Sequence, residues 1–263
     1  MTQRISIWKS IGRIWASLGV AALLGLTVWH FVAYRASTGA REALRSLDKT
    51  SVYRGDHHWV FAPSVDADRQ SVGLLFFPGA LVEAAAYAPL VRSIARAGYP
   101  AVLVEVPRRG VLGGADGRAI VERAQRSISE VPSVSRWVLA GHSRGGAVAA
   151  RLARDSGLRV GGIVLVGTSH PRDFSIADLQ VPVTKILGSR DAVSPLVKSE
   201  ANRRLLPTST RWIVLEGGNH SQFGLYGFQP GDHSATIDRT KQQTLTLEAI
   251  LDTMKAVARK NSG

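Results

Sequence analysis

A doubly wound α/β domain is the fold this sequence predicts, and three observations predict it. Short β-rich apolar runs alternate with amphipathic helical stretches from about residue 58 to the C-terminus. Most of the runs are apolar at nearly every position, as in strands covered on both faces of a parallel sheet. A length of 263 residues with 45% hydrophobic content suits a large domain with a sizeable core. The same composition excludes a disordered chain, a collagen-like repeat and a disulfide-stapled miniature fold. With no cysteine, the chain has no Cys nucleophile, no Cys-ligated zinc or iron–sulfur site and no disulfide.

Taken in order, the first element is apolar. Ala16 to Tyr34 holds no Asp, Glu, Lys or Arg, and a helix of that length crosses a bilayer core. Trp15, Trp29 and Tyr34 lie near its ends, where amphipathic rings favour the headgroup region. Residues 1–35 therefore read as an N-terminal membrane anchor or uncleaved signal. A cleaved signal peptide and a buried core helix are the competing readings; no clean Ala-x-Ala site follows the run. Arg4, Lys9 and Arg13 precede it, and Arg35, Arg41 and Arg45 follow, so the positive-inside signal is nearly balanced. A single-pass chain with its catalytic domain extracytoplasmic is the expectation. Residues 36–55 read as a short polar stalk, and 56–263 as the folded domain.

Within that domain the expected strands are 58–62, 72–77, 101–106, 136–140, 161–166, 182–187 and 211–215. Helical patterns fall near 85–97, 117–130, 145–156, 195–205 and 240–259. In the first of these, Leu90, Val91, Ile94 and Ala95 share one face while Arg92 and Arg96 take the opposite side. Ligands of such sheets bind at the carboxyl ends of the strands. The loops leaving the strands therefore carry the functional reading.

The run at 136–140 leads into GHSRGG and then an alanine-rich helix. This is G-x-S-x-G between strand and helix, a turn so sharp that small residues are needed two positions either side of Ser143. As a bare pattern it is weak; its placement carries it. A serine nucleophile needs a base, and the base an orienting acid, in the chain order Ser, Asp or Glu, His. Asp191 lies just past the strand at 182–187, and His220 in the loop after 211–215. Asp191 also reads as a helix cap, and Asp173 is the backup acid. His233, His170 and His142 are the weaker histidines. His57 and His58 would point to opposite faces of a strand, a poor metal pair. For the oxyanion, the backbone N–H of Arg144 is one donor, and that of Ala80 in Pro78-Gly79-Ala80-Leu81 the other, with Leu81 as alternative.

With those residues in hand, the chain resembles the α/β-hydrolase superfamily across roughly 55–260, and more narrowly the small fold-5 group related to dienelactone hydrolase-like proteins. The segments carrying the resemblance are FFPGALVEAAAYAPLVRSIARAGY, GHSRGGAVAARLA, GSRDAVSP and GGNHSQFGLYGFQPGDHSATIDRTKQQ. It implies the α/β-hydrolase fold and carries over Ser143, Asp191 and His220 as triad positions. Dienelactone hydrolases proper use a cysteine, which this chain lacks, so that activity does not carry over. The loop PRRGVLGGADG is more basic than the family pattern.

The expected function is a serine hydrolase acting on an ester-like bond through an acyl-enzyme. The alternatives are a non-catalytic, membrane-tethered binding module and a cofactor-free, non-hydrolytic activity on the same triad. No cofactor or metal is expected, since neither H-x-x-x-H nor clustered carboxylates occur. About 14 residues separate the strands at 161–166 and 182–187, too few for a large cap, so an open site for small or lipid-surface esters is expected. Phe223, Tyr226 and Phe228 read either as walls of that site or as packing. Arg108 and Arg109 read either as holders of an acidic substrate group or as a solvated pair. The formal charge of +13 comes from 33 Lys+Arg against 20 Asp+Glu. It is dispersed, with no basic tail, and does not predict nucleic-acid binding. Six of the basic residues flank the apolar run, in keeping with a membrane partner.

Overall fold

The computed structural model describes residues 2–46, 50–64 and 71–259. Parts of the expected stalk (47–49) and of the expected domain (65–70 and 260–263) lie outside the described residues. Eight strands form a single sheet in the order β1-β2-β4-β3-β5-β6-β7-β8. These are β1 (Thr50–Gly55), β2 (His58–Pro63), β3 (Val72–Phe77), β4 (Ala101–Val104), β5 (Arg136–His142), β6 (Val160–Val166), β7 (Val183–Gly188) and β8 (Arg211–Leu215). β1 and β2 are an antiparallel hairpin, β2 runs antiparallel to β4, and every pairing from β4 to β8 is parallel. This is the α/β-hydrolase arrangement.

Sequence explains the layering. β3 buries all six residues, and its side chains alternate between two cores. Leu74 and Phe76 join one core, which also takes the apolar faces of α3 (Ala88–Arg96) and α7 (Arg239–Arg259). Leu75 and Phe77 join the other, with α4 (Arg118–Ser129) and α5 (Arg144–Asp155). Each fully buried Phe or Leu of this kind contributes about 1.5–3 kcal/mol of transfer free energy. The short α6 (Leu196–Ala201) follows β7. Between β6 and β7 the chain forms neither helix nor strand, so no cap domain stands over the sheet.

The chain crosses from β4 past β3 to β5, which makes the carboxyl ends of β3 and β5 the point where strand order reverses. A crevice opens at such a point.

Two expectations differ from the structure, for one reason. The described residues of the expected stalk, 36–46 and 50–55, are folded onto the domain. They hold α2 (Thr38–Glu42), capped by the Ser37 hydroxyl, and β1, paired along its length with β2. β1 is an edge strand with one of its six residues buried, so it lacks the apolar run that marks a strand in sequence. Arg92, expected on the solvent side of α3, is buried, and its guanidinium donates to the Ala43 carbonyl at 3.0 Å. The segment taken for a stalk is what covers it.

Ahead of this segment runs α1 (Thr2–Ala33), whose stretch Trp8–Trp29 is long and apolar enough to cross a membrane and is not buried against the domain.

Candidate active site

Ser143 sits at the β5–α5 junction with φ 53° and ψ −119°, a left-handed backbone that a non-glycine residue adopts only under strain. The flanking glycines explain how. A Cβ on Gly141 would lie 2.2 Å from the Gly145 carbonyl oxygen, and one on Gly145 would lie 2.0 Å from the Phe77 carbonyl oxygen. Both neighbours are backbone and cannot yield. The Ser143 N–H donates to the Val166 carbonyl at 2.9 Å, tying the elbow to β6.

Asp191 and His220 come together. Asp191 Oδ2 accepts from His220 Nδ1 at 2.8 Å, and both side chains are almost fully buried. The carboxylate also accepts the Ser194 N–H through Oδ1 at 2.6 Å, a bond in the turn ahead of α6; the helix itself has Pro195 as N-cap and no side-chain cap, so the expected capping role is not found. A carboxylate at Nδ1 places the imidazole proton there and leaves Nε2 as a base. His220 Nε2 is buried and has no hydrogen-bond partner among the described residues. The two loops abut closely: a Cβ on Gly188 would stand 2.5 Å from the Gly218 carbonyl oxygen.

Residues that sequence reasoning missed hold this pair. The Asp232 carboxylate accepts N–H groups from Ala192 at 3.4 Å, Ser221 at 2.9 Å and His233 at 3.0 Å, joining the acid loop to the histidine loop. Gln242 of α7 clamps the Asn219 backbone through both its amide atoms. The only signal for Asp232 was the Gly-Asp unit of the quoted 217–243 segment, and nothing marked Gln242.

His142, the variable residue of the elbow, is also built in. Its ring packs 4.4 Å from that of His220 and 5.4 Å from Phe223, centroid to centroid. Burial first, and the His220 imidazole second, push its pKa well below the usual range, so it is neutral. Tyr87 is fully buried and its hydroxyl is held protonated by that burial. The hydroxyl accepts the Gly79 N–H at 3.2 Å and is hydrogen-bonded to His142 Nδ1 at 2.7 Å. A buried tyrosine thus links the elbow to the loop after β3.

That loop contains the expected oxyanion donors. The Leu81 N–H, the alternative donor, is already committed to the Arg109 carbonyl at 2.8 Å. A Cβ on Gly79 would lie 3.5 Å from Ser143 Cβ, and one on Gly110 would lie 3.6 Å from Ala80 Cα and 3.7 Å from Arg144 Cγ. The loops after β3, β4 and β5 therefore converge on the serine. The Arg144 side chain pairs with Asp116. Arg108 donates to the Leu112 carbonyl at 2.8 Å, and Arg109 reaches the Leu81 carbonyl at 3.4 Å. Both border a polar cavity of about 330 Å³ beside Pro78 and Gly79.

The other candidates fall elsewhere. Asp173 is exposed and bonded to Arg151, and His233 is exposed. His170 is half-buried at the end of β6. His57 is exposed, whereas His58 is buried and bonded to Glu130 at 2.8 Å. Phe223 and Tyr226 are core residues, and Phe228 is exposed.

The chain matches the model of an alpha/beta hydrolase family over residues 73–244, well over half its length, and belongs to that family. Solved structures share the fold at low identity. An alpha-beta serine hydrolase homologue from Coxiella burnetii is 16% identical with a TM-score of 0.53, covering 77% of this chain and 97% of that one. The carboxylesterase CesB from Bacillus subtilis is 13% identical with a TM-score of 0.53, covering 85% and 97%. A bacterial membrane phospholipase A is 14% identical with a TM-score of 0.53, covering 92% and 99%. Curated protein sequences give no match.

Proposed function

We propose that the protein is a membrane-anchored serine hydrolase that cleaves an ester-like acyl bond through Ser143, His220 and Asp191. The carrying observation is the buried 2.8 Å Asp191–His220 pair with Nε2 unpartnered, its ring packed against that of His142, the residue before the strained Ser143. Ser143 Oγ attacks the carbonyl carbon while His220 Nε2 takes its proton. The N–H groups of Ala80 and Arg144 hold the oxyanion, at the positive end of α5. Collapse of the tetrahedral species breaks the ester bond, and the leaving oxygen takes the proton from His220. Water then loses a proton to the same nitrogen, attacks the acyl-enzyme and releases the acid. Asp191 stabilises the imidazolium throughout. The structural neighbours, a carboxylesterase and a membrane phospholipase A among them, agree with ester or lipid substrates.

A fluorophosphonate probe tests the nucleophile. Wild type should label, and Ser143→Ala should not. Equal labelling of both, or none of wild type, would overturn the assignment.

A further inference from the structure

The end of the anchor helix is fastened to the site itself. The Ala33 carbonyl accepts the Gly227 N–H at 2.9 Å, the Tyr34 carbonyl accepts the Glu83 N–H at 3.0 Å, and the Ser37 N–H donates to Leu225 at 2.9 Å. The Tyr34 ring stacks on Tyr226 with centroids 6.1 Å apart. One partner loop follows His220 and the other follows Ala80. The membrane segment thus leaves the domain between the loop of the base and the loop of the oxyanion donor.

A mainly apolar cavity of about 540 Å³ lies at this junction, within the range of small-molecule sites. The anchor supplies Leu26, Thr27 and Tyr34, and the rim of the active site supplies Leu81 and Val111. Arg108 and Arg109 close its polar side and also border the cavity beside Gly79. Two large apolar side chains stand out on the loops flanking the anchor. Leu112, in left-handed backbone, is 83% exposed, and Phe228, next to the Gly227–Ala33 bond, is 49% exposed. Such side chains beside a membrane helix find their burial in lipid.

We propose that α1 is a wall of the acyl-binding site as well as a tether, and that the substrate is a long-chain ester drawn from the bilayer. Its acyl chain occupies the cavity between Leu26 and Val111, with the ester carbonyl reaching Ala80 and Ser143. This rests on the hydrolase reading above and names the substrate class of that site.

The test uses the full chain in phosphatidylcholine nanodiscs with p-nitrophenyl acetate, butyrate, hexanoate and octanoate. Each methylene buried in the cavity should raise kcat/KM by about fourfold until the cavity is filled. Thr27→Trp fills the cavity from the anchor and Val111→Trp from the rim. Each should lower the octanoate-to-acetate ratio of kcat/KM more than tenfold relative to wild type. Comparing ratios between variants cancels partitioning of the esters into the disc. An unchanged ratio in both variants, or a change in Val111→Trp alone, overturns the proposal, because α1 would then only tether. Failure of the hydrolase reading looks different: wild type would neither turn over acetate nor label.

Discussion

Asp191→Asn separates the roles of the buried carboxylate with an isosteric change. The two oxygens are pinned to different donors, Oδ1 to the Ser194 N–H at 2.6 Å and Oδ2 to His220 Nδ1 at 2.8 Å. If the asparagine keeps its oxygen on Ser194, its NH₂ faces Nδ1. The imidazole proton then moves to Nε2, and the base is lost. If the amide turns over, its NH₂ confronts the Ser194 N–H and leaves a buried donor unmet, at about 1–3 kcal/mol. Either arrangement slows acylation. Wrong-tautomer effects in triads reach about 10⁴ in kcat, equivalent to about 5.5 kcal/mol, and the turned-over form sets the lower bound. We expect a 10²–10⁴-fold loss in kcat for p-nitrophenyl butyrate, slower fluorophosphonate labelling by a similar factor, and a loss of unfolding free energy of no more than about 3 kcal/mol. A folded Asp191→Asn protein retaining more than a tenth of wild-type kcat would refute the assignment of His220 as base and Asp191 as its orienting acid.

Other perturbations report on the supports of the site. Gly145→Ala pushes a methyl into the Phe77 carbonyl and should cost roughly 3 kcal/mol or more in urea unfolding, in line with severe overpacking, with labelling of Ser143 abolished. Tyr87→Phe strips a partner from both Gly79 and His142. A destabilisation of about 1–3 kcal/mol and a fall in kcat larger than any rise in KM are expected; unchanged kinetics would show that the β3 loop does not depend on this bridge. Lys185 is fully buried, and burial, with Arg172 second, lowers its pKa to about 7. Between pH 7 and 10.5 the unfolded chain binds a proton that the folded chain does not, so stability should rise with pH across that window. The gain is up to about 5 kcal/mol, and it should vanish in Lys185→Met, whose advantage over wild type is greatest below pH 7. Because the chain has no cysteine, Ser209→Cys at an exposed loop gives a unique thiol. An impermeant maleimide should label it in intact cells if the domain is extracytoplasmic, and only after lysis if it is not.

How much the sequence revealed depended on whether a feature was local. β3 and β8 coincide with their expected ranges because each is a short apolar run bounded by turn residues. The Asp191–His220 pairing and the sharp turn at Ser143 fall where the sequence pointed because each of these residues follows a strand. What holds them was not legible. Asp232 and Gln242 act from 12 and 22 residues beyond His220, and no periodicity links an exposed-looking polar residue to a backbone it will clamp. β1 was missed because an edge strand buries little, and the buried Arg92 was missed because its cover is that same misread segment.

The stem changes what tethering means here. A flexible stalk would hold the domain near the bilayer while leaving its orientation free, so the site would meet lipid only in a fraction of orientations. Three backbone hydrogen bonds between residues 33–37 and the two active-site loops remove that freedom. Several torsions in the stem are fixed once, on folding, at an entropic cost of about 1–2 kcal/mol per residue that need not be met again at each encounter. The same bonds couple the anchor to the catalytic loops in the other direction. On the membrane-anchored reading, a pull or tilt of α1 would act on Glu83 and Leu225, one in the segment leading from Ala80 to Tyr87 and the other two residues after Phe223, which packs on His142. Orientation and alignment of the site therefore rest on the same few contacts.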